Sequence, residues 1–347
     1  MMMRGSDDLT VAFLLGIFFA LAALSACLTG WVRHYAMVRL LDVPNDRSSH
    51  SQPTPRGGGL GIVLVLLVSG GIALWNGLLP LPFALALSAA IPLAFIGFID
   101  DHGDVPARWR FLIQLAGAAW AIYWIGGLDV LRIGELQLRL GIWGYPFGIL
   151  VMVWMLNLFN FMDGIDGIEA TEVIFIGLAA AWMIGGGFTF SAVPEVLPPL
   201  AISGATLGFL YWNWPPARIF MGDVGSGVLG FLLALLMLHS TVSGNLSIAV
   251  WIILSGVFLI DATVTLVIRL FRGERWYQAH RSHAYQHASR RLGSHRGVTL
   301  SVMAINLVWL LPMAILAQLN PELELWVMLA ALTPLAYVAV RLGAGRP

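Results

Sequence analysis

The sequence predicts an all-α, polytopic membrane protein with about eleven transmembrane helices, folded as one domain over residues 1–347. Only 11% of its 347 residues are charged and 59% are hydrophobic, whereas soluble domains carry about 25% charged residues. Apolar runs near the ~20 residues that a bilayer crossing needs follow one another along the whole chain. The polar breaks between them are short, so no segment resembles a separate soluble domain.

Each predicted span is an apolar run bounded by polar or glycine-rich breaks. The fourth and the seventh runs are short for a crossing of ~20 residues, and the others are close to that length. The runs cover residues 9–30, 59–79, 81–99, 111–126, 144–162, 169–187, 198–213, 225–240, 246–268, 299–319 and 323–340.

The arginines predict how these spans are oriented. Alternating the spans gives one face the C-terminal tail and the loops 31–58, 100–110, 163–168, 214–224 and 269–298. That face holds 16 of the 19 arginines, and the chain has no lysine. An excess of this size predicts that the face is cytoplasmic, so the C-terminus is cytoplasmic and the N-terminus lies on the other side of the membrane, the periplasmic side in a bacterium.

Composition excludes several classes of function. A net charge of zero gives no footprint for nucleic acid. The absence of lysine excludes Schiff-base chemistry, and Cys27 as the only cysteine excludes intrachain disulfides and cysteine-rich zinc sites. Residues 24–27 look like a lipoprotein cleavage box. Cleavage there would leave the arginine-rich segment 31–58 outside the cytoplasm, so we expect the first span to be retained.

A pair of carboxylates ends the third span. Asp100 and Asp101 are adjacent and Asp104 follows one turn later. Neighbouring carboxylates at a membrane boundary repel each other and are costly to desolvate. A divalent cation such as Mg²⁺, which uses one or two carboxylates plus substrate phosphates, would offset that cost. The alternative is a solvated helix end with ordinary charges.

The end of the fifth span is unusually polar for a membrane helix. Asn157, Asn160 and Asp163 are three residues apart and therefore project to one side of a helix. Such a stripe is expensive in a membrane unless it faces a cavity or a site. Hydrogen bonds between helices would explain the asparagines. They would not explain why Asp163 and Asp166 are each followed by glycine, which allows close backbone approach to a ligand.

Two glycine-rich segments on the same face suit contact with phosphate. Arg56 precedes three glycines, a pattern that fits close approach to an anion and also fits helix packing. Asp223 lies in a glycine-rich turn before an apolar helix. It either caps that helix or belongs to a site in which free backbone N–H groups bind an anion. Phe220, in the same turn, is either buried packing or a stacking face for a planar base.

The last large loop, 269–298, holds seven arginines and four histidines. His280 and His283 lie in its densest part, residues 280–287. This cluster either binds phosphate or a metal, or forms a basic surface that faces anionic lipid. Because several aspartates are predicted on the same face, the first alternative is favoured.

The polar motifs all fall on the predicted cytoplasmic face, although they were not used to orient the spans. This one-sidedness indicates an enzyme that takes one substrate from the cytoplasm and another from the membrane. An ion-coupled transporter is the main alternative, because buried carboxylates and broken helices also build carriers. A carrier would place polar groups near the middle of the membrane and usually contains related halves, and neither feature is visible in the sequence.

Taken together, these segments resemble the polyprenyl-phosphate N-acetylhexosamine-1-phosphate transferase superfamily over essentially the whole chain. Span count, orientation and loop order agree. Five motifs carry the resemblance: Pro-Arg-Gly-Gly at 55–58, Asp-Asp-x-x-Asp at 100–104, Asn-x-x-Asn-x-x-Asp-Gly-x-Asp-Gly at 157–167, Phe-Met-Gly-Asp-x-Gly-Ser at 220–226, and the histidine loop at 280–287.

The resemblance implies a metal-assisted site for phosphate transfer. Asp100 and Asp101 are implied to lie by the metal and the lipid phosphate, and one of them is a proposed base. Asp223 matches the aspartate that ligates Mg²⁺, for which Mn²⁺ is an alternative. Asn160 and Asp163 match further active-site residues. Which of Asp100, Asp101 and Asp163 takes a proton is left open.

The resemblance also assigns residues to the two ends of a UDP-sugar. The positions around the uracil are Asp166, Asn213 and Phe220, with Phe220 stacking on the ring. His280 and His283 match the loop near the sugar or the diphosphate, without a single catalytic histidine being identified.

Substrates and partners are implied by the same resemblance. The implied reaction moves an N-acetylhexosamine 1-phosphate from a UDP-sugar to undecaprenyl phosphate and releases UMP. Residues 280–286 look like the branch that starts O-antigen synthesis, whose members use UDP-FucNAc, UDP-QuiNAc or UDP-GlcNAc. A homodimer within the lipid membrane is left open, and no nucleic-acid partner is expected.

Overall fold

The computed structural model describes residues 2–43, 52–187, 193–274 and 280–346. Residues 44–51 of the first predicted cytoplasmic loop and residues 275–279 of the histidine-bearing loop lie outside the described residues. Within the described ranges the chain is almost entirely helical. The helices are α1 Met2–Arg39, α2 Gly59–Trp75, α3 Leu81–Leu87, α4 Ala90–His102, α5 Ala107–Ile125, α6 Gly144–Met162, α7 Ile168–Ile184, α8 Val193–Asn213, α9 Asp223–Ser243, α10 Ile248–Leu254, α11 Gly256–Phe271, α12 Ala284–Leu292, α13 His295–Ile305, α14 Leu311–Leu319 and α15 Glu324–Leu342.

Short elements complete the chain. A π-helical turn, Asn306–Leu310, joins α13 to α14, and 3₁₀ turns occupy Gly141–Trp143 and Pro321–Leu323. Two antiparallel pairs of strands are present, β1 Leu41–Asp42 with β2 Thr54–Pro55 and β3 Val130–Ile133 with β4 Leu136–Arg139.

The all-α membrane prediction is confirmed in its main features. Each of the eleven predicted apolar runs coincides with one helix or with two consecutive helices. Among the described residues, seven helices are long and apolar enough to cross a membrane, or eight if the pair α10 and α11 forms one bent span. The number of crossings and the orientation of the termini stay predictions.

One predicted span is broken. The run 246–268 divides at Ser255 into α10 and α11, whose axes differ by 82°. The break could not be predicted from the sequence, because a single glycine, Gly256, gives only a weak signal for the end of a helix. The bend lets α11 run back toward the loop that carries the histidines.

Helix α9 lies at the centre of the molecule. Of its apolar stretch 89% is buried, against 22% for α1 and for α15. The approach to α6 is close, because a Cβ at Gly230 would collide with the Met155 carbonyl oxygen. A Cβ at Gly97 of α4 would likewise lie 2.5 Å from the Asp223 carbonyl oxygen. These glycines bring the ends of α4 and α6 to the start of α9.

The described parts of five loops meet at one end of the helices, called the site face below: 40–43 with 52–58, 103–106, 163–167, 214–222, and 272–274 with 280–283. Backbone hydrogen bonds join the first and the fourth of them. Phe220 N–H donates to the Pro55 carbonyl (2.8 Å), Gly58 N–H to the Phe220 carbonyl (2.9 Å) and Gly59 N–H to the Met221 carbonyl (2.8 Å). The loops that the arginines assigned to one face are therefore one connected surface.

The opposite end contains the β3–β4 hairpin, which was predicted from the sequence as a loop without motifs. Glu324 holds it in place, because its Oε2 accepts a hydrogen bond from Gly134 N–H (2.9 Å) at the turn, and its Oε1 contacts the Ser247 hydroxyl. Strands of four residues give too short an alternation to be recognised from sequence.

Candidate active site

Asp223 is the first residue of α9 and lies on the site face. Its side chain is 37% exposed, in a helix whose other residues are mostly buried. Oδ1 accepts a hydrogen bond from Asn160 Nδ2 (2.6 Å), and Oδ2 lies 3.7 Å from Arg110 Nη1. The N-terminal end of a helix carries partial positive charge and stabilises a carboxylate. Asp223 is therefore held at the start of α9 between Asn160 and Arg110, with its side chain partly exposed.

Asp101 holds the start of α9 from the end of α4. Its side chain is 3% exposed. Oδ1 accepts the backbone N–H of Asp223 (3.0 Å) and Oδ2 accepts that of Val224 (3.1 Å). The carboxylate thus satisfies two N–H groups that a helix start leaves unpaired. Gly222 is required beside it, because its φ is +78° and a Cβ would lie 2.6 Å from Asp101 Oδ2.

Two arginines neutralise the aspartates of the 100–104 motif. Arg56 donates from Nη2 to the backbone carbonyl of Asp101 (2.7 Å), and its Nε lies 4.0 Å from the carboxylate. Arg110 Nη1 contacts Asp100 Oδ2 at 2.5 Å, while Asp100 Oδ1 accepts Val105 N–H at 2.8 Å. The oxygens of Asp100 and Asp101 are thus engaged by protein groups, and their assignment as metal ligands stays a prediction.

Arg110 was missed in the sequence analysis, although it carried a signal. Acidic residues favour the first turn of a helix, where basic residues oppose the helix dipole. Helix α5 instead begins with Arg108 and Arg110. An arginine in so unfavourable a position indicates a partner, and the structure supplies Asp100 and Asp223.

Asp163 follows α6 directly and faces the same cluster. Burial, reinforced by the negative charges of Asp223, Asp166 and Asp101, raises the pKa of Asp163 to about 7. Glu169, near the start of α7, is 1% exposed beside Asp163, and neither of its oxygens has a hydrogen-bond donor among the described residues. Glu169 was not predicted as a site residue, and its signal is a carboxylate within a predicted span.

The two asparagines of the polar stripe predicted on α6 bond to different partners. Asn160 Nδ2 donates to Asp223 Oδ1 and to Ser226 Oγ (2.9 Å). Asn157 instead bonds to Gln114 Oε1 of α5 (3.0 Å) and to the Val153 carbonyl. Asn160 therefore positions the exposed carboxylate of Asp223, and Asn157 makes the hydrogen bond between helices that was its alternative role.

The residues expected around a uracil join the 163–167 turn to the 214–222 loop. Asp166 Oδ2 accepts Ala217 N–H (3.0 Å), and Oδ1 lies 3.2 Å from His295 Nδ1. Asn213 accepts Gly167 N–H (2.9 Å) and donates to the Ile219 carbonyl (3.0 Å). Phe220 is half-buried in the same loop. Asp166 and Asn213 thus shape this region, and base recognition by all three stays a prediction.

The two predicted histidines lie at the start of α12. Asp261 of α11 caps this helix, because its oxygens accept the N–H groups of Ala284 (2.8 Å) and Tyr285 (2.9 Å). His283 is 2% exposed with Nδ1 3.4 Å from Asp261 Oδ1, and its ring lies 4.8 Å from that of His280. Asp261 was missed in the sequence analysis. A lone aspartate within the apolar run 246–268 was the available signal.

Tyr285 docks the histidine loop on the turn that carries Asp163. Its hydroxyl donates to the Phe161 carbonyl (3.1 Å), and a Cβ at Gly164 would collide with that hydroxyl. Burial, with the positive charges around His283 and Arg269, lowers the pKa of His280 to about 4. His280 is therefore a neutral imidazole at pH 7 and offers hydrogen bonds rather than charge.

The donor set suits a magnesium ion bound jointly with substrate. Among the described residues, no three His, Cys, Asp or Glu side chains are grouped as a metal-binding cluster. Mg²⁺ is commonly held by one or two carboxylates together with substrate phosphates and water. Asp223, whose side chain is 37% exposed, fits that mode. Asp163 and Glu169 lie beside this carboxylate and would be further oxygen ligands.

Comparison with known proteins identifies the family. Residues 83–241 match the model of glycosyl transferase family 4. The chain is 31% identical to the probable undecaprenyl-phosphate N-acetylglucosaminyl 1-phosphate transferase of Bacillus subtilis, over 83% of this chain and 80% of the relative.

Two further relatives extend the comparison. The undecaprenyl-phosphate α-N-acetylglucosaminyl 1-phosphate transferase of Escherichia coli K12 is 29% identical over 84% and 80% of the two chains. A phospho-N-acetylmuramoyl-pentapeptide-transferase of Streptococcus pneumoniae is 32% identical over 56% and 61%. These relatives are sugar-phosphate transferases and give no support to the transporter alternative. The chain therefore belongs to glycosyl transferase family 4, within the superfamily of polyprenyl-phosphate hexosamine-1-phosphate transferases.

Proposed function

We propose that this protein transfers an N-acetylhexosamine 1-phosphate from a UDP-sugar to undecaprenyl phosphate. The observation that carries the proposal is the start of α9. There the carboxylate of Asp101 accepts the backbone N–H groups of Asp223 and Val224. The side chain of Asp223 remains partly exposed beside Asn160 and Arg110. An exposed carboxylate at the end of a central membrane helix suits two substrates that meet at a membrane surface.

The reaction makes and breaks one phosphorus–oxygen bond. An oxygen of the lipid phosphate attacks the β-phosphorus of the UDP-sugar, the bond to the α-phosphate breaks, and UMP leaves. Such transfers depend mainly on positioning and charge neutralisation. Arg56 and Arg110 lie where they can hold phosphate oxygens, since each keeps a guanidinium 39% exposed beside the aspartates.

The carboxylates supply the remaining chemistry. Mg²⁺ bound by Asp223 would neutralise charge on the diphosphate, with Mn²⁺ as an alternative ion. Asp163 is the most suitable proton acceptor of the three candidate aspartates, because its pKa of about 7 matches neutral pH and the oxygens of Asp100 and Asp101 are engaged. His280 would provide a neutral hydrogen-bonding group near the sugar or the diphosphate, with the ring of His283 stacked beside it.

The donor and the cellular setting are inferred from different observations. The names of the Bacillus and Escherichia relatives favour UDP-GlcNAc, whereas the histidine loop favours a 6-deoxy sugar such as UDP-QuiNAc or UDP-FucNAc and the start of O-antigen synthesis. The arginine bias places the site on the cytoplasmic leaflet of a bacterial inner membrane. Assembly as a homodimer is left to experiment.

The test is UMP release by purified protein supplied with undecaprenyl phosphate, Mg²⁺ and each of the three UDP-sugars. We expect lipid- and metal-dependent UMP release from one sugar, abolished in Asp223→Asn. Absence of UMP with every donor, from protein shown to be folded by circular dichroism, would overturn the proposal.

A further inference from the structure

A second charged site lies where α1 meets α8. Two guanidinium groups flank the indole of Trp212: the Cζ of Arg33 lies 5.5 Å from the ring centroid and that of Arg218 lies 5.6 Å from it. Arg218 also lies 5.5 Å from the ring of Tyr211. These four residues are called the Arg33–Arg218 patch below.

The patch is held rigidly from both sides. Trp212 Nε1 donates to the Ala26 carbonyl (2.8 Å), and the indole lies so close to α1 that a Cβ at Gly30 would be 3.1 Å from it. Arg33 Nε donates to the Arg218 carbonyl (3.2 Å). The side chain of Arg33 is therefore bonded to the backbone of Arg218, and both guanidinium groups lie near the fixed indole of Trp212.

The charge of the patch is not balanced within the protein. Among the described residues, no carboxylate forms an ion pair with Arg33 or with Arg218. Each guanidinium carries five N–H donors, and among the described residues Arg33 donates a hydrogen bond from its Nε alone. Two like charges held near one aromatic ring repel each other, so an anion bound at the patch would stabilise the arrangement.

The position of the patch is that of lipid headgroups. Trp212 is next to the last residue of α8, and Arg33 lies more than 20 residues after Thr10, where the apolar part of α1 begins. About 20 helical residues cross the hydrocarbon core. Trp31 is 81% exposed and Tyr211 is 62% exposed, as is typical of aromatic side chains at a membrane interface.

The patch is separate from the candidate active site. Arg33 lies on α1, Tyr211 and Trp212 lie at the end of α8, and Arg218 lies in the 214–222 loop of the site face, whereas the carboxylates of the site belong to α4, α9 and the turn after α6. We propose that the Arg33–Arg218 patch binds the phosphate of an anionic phospholipid of the surrounding bilayer. The inference is independent of the transferase reaction, because it concerns a structural lipid and not a substrate.

The experiment measures lipid binding to the full chain in an uncharged detergent. Native mass spectrometry counts the phosphatidylglycerol and phosphatidylcholine molecules retained by the wild type, by the double variant Arg33→Gln/Arg218→Gln, and by Arg139→Gln. Arg139 is a matched control, because it is an exposed arginine on β4 at the opposite end of the molecule. We expect phosphatidylglycerol retention in the wild type and the control, and on the order of tenfold weaker retention in the double variant.

Three outcomes would overturn the proposal. One is equal phosphatidylglycerol retention by the double variant. The second is displacement of the lipid by millimolar inorganic phosphate, which would identify a site for a free anion. The third is selective retention of undecaprenyl phosphate over phosphatidylglycerol, which would make the patch a substrate site. If the double variant does not fold, Arg218→Gln alone gives the test, because the backbone N–H of Arg218 makes the bond to Trp212.

Discussion

Helices α9 and α12 begin in the same way and present different side chains. Each start is held by a buried aspartate from the end or middle of a membrane helix, Asp101 for α9 and Asp261 for α12. In both, the two carboxylate oxygens accept two successive backbone N–H groups at 2.8–3.1 Å. A carboxylate at this position also interacts favourably with the helix dipole.

The two helices differ in the side chains next to the cap. Helix α9 begins with Asp223, whose side chain is 37% exposed beside Arg110. Helix α12 is preceded by His283 and includes Tyr285, which are 2% and 4% exposed. One carboxylate cap therefore presents a reactive group, and the other fixes the histidine loop against its neighbours. The same capping device serves ligand binding at α9 and docking at α12.

The Asp223→Asn variant tests the side chain that distinguishes the start of α9 from that of α12, and we expect it to have the largest effect. The substitution keeps the shape and the cap at α9 but removes the partly exposed carboxyl group. We expect UMP release to fall by about 10²–10³-fold, as when one electrostatic group of an active site is lost, with thermal stability unchanged or higher because carboxylate repulsion is relieved. Steady-state kinetics and a thermal melt measure the two. Activity within tenfold of the wild type would exclude Asp223 as the metal-binding residue.

Gly164→Ala tests whether docking of α12 matters to the site. The added Cβ would collide with the Tyr285 hydroxyl, so the histidine loop or the turn of Asp163 must move. We expect at least tenfold lower activity, because small displacements of reacting groups are costly. Gly103→Ala is the matched control on the same face, since its Cβ meets no atom within 4 Å. Equal activities of the two variants would mean that α12 is not needed at the site.

The variants Asp101→Asn and Asp261→Asn compare the two capping aspartates directly. Each substitution keeps one hydrogen-bond acceptor and removes the charged cap, and we expect it to lower the free energy of unfolding by about 1–2 kcal/mol. We expect similar losses of stability but a larger loss of activity in Asp101→Asn, because only that cap positions Asp223. Denaturation and initial rates measured on the same preparations give both quantities. The reverse order of activities would remove the assigned difference between the two helix starts.

The pH dependence of stability is the smallest expected effect. The pKa of Asp163 rises from 3.8 when exposed to about 7 in the folded protein. The folded state therefore binds the proton more tightly, and this contribution is fully present below pH 3.8 and is lost as the pH rises through about 7. Melting temperatures in metal-free buffer between about pH 5 and about pH 8 should fall with pH, and less steeply in Asp163→Asn. If the melting temperature of Asp163→Asn fell with pH as steeply as that of the wild type, the pH dependence would belong to another group.

The positions of most helices could be predicted from the local sequence. Apolar runs located the helices, and the three-residue spacing of Asn160 and Asp163 predicted that they lie on one side of the fifth span, where the structure places Asn160 on α6 and Asp163 directly after it. The hairpin β3–β4 and the break at Ser255 were not predicted, because four-residue strands and a single glycine give weak local signals. A helix period cannot show an 82° bend.

The two capping aspartates show why the rest of the site could not be predicted from the sequence. Asp101 and the backbone of Asp223 are 122 residues apart, and Asp261 and Ala284 are 23 apart. A carboxylate that accepts backbone N–H groups leaves no complementary residue type in the sequence. Its partner is therefore visible only once the chain is folded. The sequence thus predicted Asp101 as a metal ligand, which stays a prediction, and gave no sign of the bonds that both of its oxygens make to the start of α9.

Mn²⁺ binding followed by electron paramagnetic resonance, with UDP-GlcNAc or UDP-QuiNAc present, tests most directly whether the capped start of α9 presents a metal-binding carboxylate. We expect a bound-ion signal in the wild type and in Asp261→Asn, a weaker one in Asp101→Asn and none in Asp223→Asn. A bound-ion signal of wild-type strength in folded Asp223→Asn would contradict the assignment of Asp223 as the metal-binding residue.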